Sequence, residues 1–168
     1  MTKKPIPTFK PKTNLLRIGA VTLTAAAALL AAGPVLADTM AWTSTSYIVS
    51  QDRATGQFQR RGVAMFASGE VATFTLAGQI TSFDPKVLTY DVKMVYTFED
   101  GSTLRQEGSG RNEVTTPPRS VQMGSGRLVG GTGRFEGISG RTESTGRALS
   151  EWDAINQFKA EFSLPAKK

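Results

Sequence analysis

Two β-type runs meet through a glycine-dense turn in the stretch Leu128-Val-Gly-Gly-Thr-Gly-Arg-Phe-Glu-Gly-Ile-Ser-Gly140. Gly130, Gly131 and Gly133 can adopt positive φ angles or let two backbones approach closely, which residues with a Cβ cannot do cheaply. Phe135 follows them as the expected apolar anchor of the turn. The stretch therefore predicts a tight connection between two neighbouring strands.

Outward from this turn, the chain alternates between apolar and polar residues, as strands with one buried face do. The clearest run is residues 88–98, where every second residue is apolar and Val95 is the one apolar residue on the opposite face. Including this run, extended to Val87–Phe98, we predict eight strands, the others being Trp42–Val49, Phe58–Phe66, Val71–Phe83, Thr103–Val114, Ser120–Val129, Gly137–Leu149 and Gln157–Leu164. Strands joined by short polar turns in this way predict an all-β fold, either an antiparallel barrel or a sandwich.

Glycines on the inward faces of these strands favour the barrel over the sandwich. Gly108, Gly110, Gly140 and Gly146 fall on the faces that alternation turns inward. Small inward residues relieve crowding where the strands of a closed barrel bend. We therefore predict an eight-stranded antiparallel β-barrel over residues 38–168.

Residues 1–37 have the composition of a cleavable signal peptide. Five basic residues come first, an apolar run from Ile18 to Ala32 follows, and Ala37 supplies a small residue at the expected cleavage site. This order is typical of secretory signal peptides, and the apolar run is shorter than the ~20 residues of a membrane span. An uncleaved N-terminal anchor or a buried helix is the alternative. We predict a secreted or periplasmic protein with no stable membrane span in its mature chain.

The charge of the mature chain gives no reason to expect a nucleic-acid partner. The whole chain carries 20 Lys and Arg residues against 14 Asp and Glu residues, a net charge of +6. Five of the basic residues and none of the acidic ones lie in residues 1–37, which leaves 15 against 14 in the mature chain. A nucleic-acid interface would need a clustered basic face on the mature domain.

The absence of His and Cys from the sequence limits the chemistry of any site. It excludes a Ser-His-Asp triad, a thiol enzyme and a zinc site. The acidic residues around Glu99-Asp100 match no EF-hand spacing, and Gly124-Ser-Gly126 lacks the helix that a phosphate-binding loop requires. We therefore predict no cofactor and no metal.

Four arginines recur through the glycine-rich turn and its neighbouring strands, namely Arg127, Arg134, Arg141 and Arg147. We predict that they lie on a solvated outer face, interleaved with Glu136 and Glu143 and paired across strands. The alternative is that they face an anionic ligand or partner.

Polar residues that alternate onto the inward faces are the candidate ligand-binding residues, and they are Tyr90, Tyr96, Gln106, Asn112, Thr142 and Ser144. Aromatic walls with a few hydroxyl and amide groups are the usual composition of a small-molecule site. The alternative is that these groups hydrogen-bond one another in a filled core, because an eight-stranded barrel is just wide enough for either arrangement. No residue is singled out as catalytic.

Three stretches resemble the allene oxide cyclase family, and the first also resembles its dirigent-type relatives. Val129–Gly140 is similar to the family turn Gly-Gly-Ser/Thr-Gly-x-Phe-x-Gly-x-x-Gly, residues 90–108 are similar to its central hairpin, and Phe158–Leu164 is similar to its last strand. The chain thus resembles a bacterial-type exported member of the dirigent and allene oxide cyclase superfamily. The resemblance implies an eight-stranded barrel with an apolar lumen open at one end. Barrels of this kind are often oligomeric, so the resemblance also implies that this protein can form a homo-oligomer.

The resemblance does not extend to the polar residues of the plant cyclase. Its glutamate and asparagine near the first strand correspond to the stretch Ser46–Arg53, where Tyr47 or Ile48 replaces the glutamate and an apolar or small residue replaces the asparagine. The cysteine of that family's pocket is also absent.

Three functions remain open at this stage. We favour an exported barrel that binds a small, largely apolar molecule in its lumen. The second function is a cyclase or isomerase that acts by shaping a flexible substrate, which orientation alone can achieve. The third is a filled barrel with a structural or protein-interaction role. The sequence leaves open whether the protein is an enzyme.

Overall fold

Eight antiparallel strands close on themselves in the computed structural model, which describes residues 37–117 and 119–165. The strands are β1 (Asp38–Asp52), β2 (Gln57–Phe66), β3 (Val71–Phe83), β4 (Val87–Phe98), β5 (Thr103–Thr116), β6 (Arg119–Thr132), β7 (Ser139–Ala148) and β8 (Asp153–Ser163). Each strand pairs with the next along the chain, and β1 pairs with β8 to close the cylinder. The predicted all-β, eight-stranded antiparallel β-barrel is confirmed. The predicted signal peptide, residues 1–37, lies outside the described residues except for Ala37.

The first and last strands are longer than the sequence pattern predicts, because their added residues pair with neighbouring strands. β1 begins at Asp38, which lies opposite Phe162 of β8, and it continues to Asp52, which lies opposite Gln57 of β2. β8 begins at Asp153, opposite Tyr47, although the sequence predicts a loop as far as Asn156. Backbone hydrogen bonding across the closure therefore extends the beginning of both strands, and pairing with β2 extends the end of β1. Within the described part of the chain, no helix has the length and apolar character needed to cross a membrane.

The glycine-rich turn connects β6 and β7 and closes one end of the barrel. It contains a short 3₁₀ turn over Gly133–Phe135, and Gly133 has a φ of 60°. A Cβ at Gly131 would overlap the carbonyl oxygen of Thr103 and lie 2.8 Å from the Cβ of Phe135. The glycine therefore lets the backbone of β6 pass directly beneath the buried Phe135, which is the anchor that the sequence predicts.

Arg134 seals this end instead of lying on a solvated outer face, so that prediction is wrong for this residue. Its guanidinium carbon lies 4.7 Å from the ring centre of Phe98 and 4.8 Å from that of Phe135. Its Nη1 forms an ion pair with Glu70, and its Nε lies 3.6 Å from Asp100. The turn sequence thus carries its arginine over two aromatic rings, where the cation stacks on them.

Two of the other arginines do lie outside and pair across strands. Arg127 lies 3.5 Å from Glu107, and Arg141 lies 3.4 Å from Glu161. Their partners are thus the glutamates of β5 and β8 instead of Glu136 and Glu143.

The half of the barrel next to the glycine-rich turn is a packed core, here called the closed half. Trp42 stacks on Phe66 and Phe158 with ring centres 5.3 and 5.0 Å apart, and Phe98 packs against Phe135 at 4.9 Å. Burying each large apolar side chain contributes about 1.5–3 kcal/mol. The closed half therefore supplies most of the hydrophobic stabilisation of the barrel.

Candidate functional site

The opposite half of the barrel, here called the open half, contains a cavity of about 250 Å³. The cavity reaches the barrel end where β1 turns into β2 and where β7 turns into β8, because Gln51, Ser150 and Glu151 line it. Phe74, Met94 and other residues of the strand interiors line its depth. The chain thus fills one half of its lumen and leaves the other half unfilled.

The cavity has one apolar wall and one polar wall. The wall formed by β2, β3 and β4 is mostly apolar, although it also carries Arg60 and Tyr90; its apolar residues include Phe58, Phe74, Leu76, Ile80, Leu88 and Met94. The wall formed by β1 and by β5 to β8 is mostly polar, although it also carries Ile48 and Phe158; its polar residues include Ser44, Asn112, Ser120, Gln122, Ser144 and Asn156. Such a division suits a molecule that is mostly apolar and carries polar groups on one side.

A chain of hydrogen bonds, here called the cavity floor, meets the cavity at Gln106. Three of the predicted site residues belong to this chain. Trp42 Nε1 donates to the hydroxyl of Tyr96 at 3.2 Å, and that hydroxyl donates to Gln106 Oε1 at 3.1 Å. Gln106 Nε2 then donates to Thr142 Oγ1 at 3.0 Å. Tyr96 is completely buried, and burial raises the pKa of its hydroxyl well above the usual value. These groups satisfy one another, as the filled-core alternative expects, and of the three only Gln106 also borders the cavity.

The other three predicted residues, Tyr90, Asn112 and Ser144, border the open volume. The ring of Tyr90 packs edge-on against Phe58 at 6.1 Å, and it lies over Gly110, where a Cβ would be 2.6 Å from the hydroxyl oxygen. Asn112 Oδ1 is buried and has no hydrogen-bond partner among the described residues. A buried acceptor of this kind is costly unless something donates to it.

Arg60 is the lining residue that the sequence pattern obscures. Arg60, Arg61 and Gly62 interrupt the apolar pattern of β2, yet alternation with Phe58, Ala64 and Phe66 places Arg60 on the inward face. Its side chain lines the cavity, and burial lowers the pKa of its guanidinium, with Tyr90 opposing that shift. The alternation itself was the signal that could have identified this residue.

Acid–base chemistry has few candidates in this cavity. Burial raises the pKa of Tyr90, with Arg60 opposing the shift, so its hydroxyl is protonated at neutral pH and offers a hydrogen bond instead of a base. The one acidic residue among the described lining is Glu151, which lies exposed in the connection between β7 and β8. No three acidic residues of the described chain are grouped as metal ligands would be. The arrangement therefore suits binding and orientation more than proton transfer.

A larger depression of about 870 Å³ lies on the outer surface and is less suited to a ligand. Charged residues on the outside of β4 to β7 line it, and they neutralise one another. Lys93 lies 3.5 Å from Glu107, and Arg127 lies 3.5 Å from the same carboxylate. Exposed pairs of this kind are solvated and of little energetic value, so the lumen is the candidate site.

Comparison with known proteins identifies the fold only. No protein-family model and no curated protein matches the sequence. Among solved structures, the pterocarpan synthase dirigent protein GePTS1 is similar, with a TM-score of 0.53 and 15% sequence identity over 78% of this chain and 87% of that chain. The chain therefore has a dirigent-like barrel fold. The resemblance to allene oxide cyclases and to bacterial-type exported members stays a prediction.

Proposed function

We propose that this barrel binds a small, largely apolar molecule in its lumen, after export directed by the predicted signal peptide. The observation that carries the proposal is the cavity of about 250 Å³ between an apolar and a polar wall. Aromatic side chains fill the closed half, so the unfilled open half supports a role in which a ligand occupies it. A protein with a purely structural role would gain stability by filling it.

The size of the cavity limits the ligand. Pockets for small molecules usually span about 300–1,000 Å³, so this cavity of about 250 Å³ lies just below that range and suits a correspondingly small molecule. The unpaired Oδ1 of Asn112 favours a ligand that can donate a hydrogen bond. The protonated hydroxyl of Tyr90 favours a ligand that can also accept one.

Shaping of a substrate is the second candidate function, and the same cavity supports it. A rigid barrel that holds a flexible molecule between two different walls can favour one reactive conformation. The structural neighbour is named as a synthase, so a barrel of this fold is compatible with such a role. Because the described lining holds only the exposed Glu151 as an acid, this activity would depend on orientation.

Filling the cavity with a side chain tests the proposal. Ser144 faces the cavity, and a Cβ added at Gly124 would contact its Oγ. The next residue, Thr145, faces solvent. We expect Ser144→Phe to abolish fluorescence enhancement by the neutral dye phenylnaphthylamine. Thr145→Phe, the matched control, should bind the dye as the wild type does. Equal dye binding by wild type and Ser144→Phe would place the dye elsewhere and contradict lumen binding.

A further inference from the structure

We propose that the ligand of the lumen carries an anionic head group, of the carboxylate type, that pairs with Arg60 near the open end of the barrel. This inference rests on the proposed function and specifies the chemical class of the ligand. The apolar body of the ligand lies against the wall formed by β2, β3 and β4.

The contacts of Arg60 leave its charge without an anionic partner. Its Nε donates to Ser46 Oγ at 3.0 Å, and its Nη2 donates to the carbonyl oxygens of Trp152 at 3.0 Å and Ser46 at 3.4 Å. All of these acceptors are neutral. The carboxylates of the described residues form six ion pairs, and none of them involves Arg60. The Nη1 group makes no hydrogen bond to a described residue, so it is free for a ligand.

Two acidic residues lie near this end of the barrel without neutralising Arg60. Asp153 is close enough to favour the charged guanidinium, but its carboxylate accepts a hydrogen bond from Ser150 Oγ at 2.9 Å and makes no ion pair with Arg60. Glu151 is exposed. A largely buried cation without a contacting anion is unfavourable, and an incoming anion would relieve that cost.

The surroundings of Arg60 match an amphipathic acid. Leu76 lies directly opposite it on β3, and Phe58 lies two residues earlier on the same face. The protonated hydroxyl of Tyr90 belongs to the same cavity and could donate to a second carboxylate oxygen. The guanidinium can thus bind the carboxylate of such a molecule, and the neighbouring aromatic and aliphatic side chains can contact its apolar body.

A purely structural role is the competing explanation for Arg60. Through the Trp152 carbonyl it ties the connection between β7 and β8 to β2. This role requires only hydrogen-bond donors, whereas the proposed role requires the charge. The two can be separated by comparing ligands that differ only in charge.

The experiment measures the affinities of naphthoate and of its neutral counterpart naphthylmethanol by calorimetry. We expect the wild type to bind naphthoate about tenfold more tightly or better, which corresponds to the strength of a charge-assisted hydrogen bond. In Arg60→Gln, which keeps donors but loses the charge, the two affinities should become equal while naphthylmethanol binding is unchanged. Arg61→Gln is the matched control, because Arg61 points outward from the next position, and it should keep the wild-type preference.

The outcomes distinguish this inference from the proposed function. Equal binding of the two probes by the wild type would overturn the anionic head group and leave lumen binding intact. An undiminished preference in Arg60→Gln would also overturn the role of Arg60. Failure of both probes to bind a wild type that binds phenylnaphthylamine would overturn the anionic head group, and failure of all three compounds to bind would overturn both proposals. If Arg60→Gln does not fold, the test uses the wild type and Arg60→Lys. Arg60→Lys keeps the charge and should keep the wild-type preference for naphthoate over naphthylmethanol.

Discussion

At the residue scale, the buried polar chain of the cavity floor is the feature with the sharpest energetic consequence. Trp42, Tyr96, Gln106 and Thr142 come from four different strands, and each hydrogen bond satisfies a group that water cannot reach. The hydroxyl of Tyr96 sits in the middle, accepting from one neighbour and donating to the next. Its removal leaves two buried groups without partners, whereas removal of an exposed hydroxyl leaves none.

We therefore expect Tyr96→Phe to lower the free energy of unfolding by about 1–3 kcal/mol, measured by urea denaturation. Tyr47→Phe is the control, because Tyr47 is exposed on β1, and it should change stability by less than about 0.5 kcal/mol. A Tyr96→Phe variant as stable as the wild type would show that the floor does not depend on this hydroxyl.

The same hydroxyl should make stability fall at high pH. Burial raises the pKa of Tyr96 in the folded protein above its usual value of 10.0, which applies to the unfolded chain. At a pH between the unfolded and the folded pKa, the unfolded chain has lost a proton that the folded chain keeps. Stability from this group is therefore complete below pH 10 and decreases above it by about 1.4 kcal/mol per pH unit. Urea unfolding of wild type and Tyr96→Phe across this range isolates the effect. Parallel pH profiles for the two proteins would contradict it.

At the scale of elements, the glycine-rich turn determines how one end of the barrel closes. Close approach matters more at Gly131 than a special backbone angle, since its Cβ would meet the Thr103 carbonyl and the Phe135 side chain. Gly69 is the opposite case, because it has a φ of 90° and open space around a Cβ. The two positions thus separate steric overlap from backbone strain.

We expect Gly131→Ala to cost about 3 kcal/mol of unfolding free energy, because the new Cβ would meet the Thr103 carbonyl oxygen and the Cβ of Phe135, so the backbone of β5 or of Phe135 must move. Gly69→Ala should cost only about 1 kcal/mol, from its positive φ. Thermal and urea denaturation of the two variants provide the comparison. Similar losses in both would show that the turn tolerates a Cβ beneath Phe135.

The elements also show how far local sequence predicts this molecule. Alternation and turn residues identify all eight strands. β4 begins and ends at the predicted residues, because its pattern is regular along its whole length. The added residues at the beginnings of β1 and β8 depend on each other, since each beginning pairs with a strand more than 90 residues away in sequence. Alternation also gives the inward face of Arg60, whereas the stacking of Arg134 on Phe98 and Phe135 depends on core contacts that no local pattern contains.

At the scale of the whole molecule, the two halves of the barrel have different tasks. Aromatic side chains and Arg134 fill the closed half, and the hydrogen-bonded floor separates it from the cavity. The candidate residues divide along the same line. Tyr96 and Thr142 belong to the floor, Gln106 joins the floor to the cavity, and Tyr90, Asn112 and Ser144 face the open volume. Which polar groups pair with one another cannot be predicted from alternation, because alternation gives the face and not the depth.

Native mass spectrometry of the protein from its natural host shows whether the lumen holds a small molecule. We expect a mass above that of the chain, with the excess released on denaturation as one small, largely apolar compound that is absent from Ser144→Phe. A mass equal to that of the chain alone, with phenylnaphthylamine also failing to bind, would contradict lumen binding and favour a barrel with a structural or interaction role.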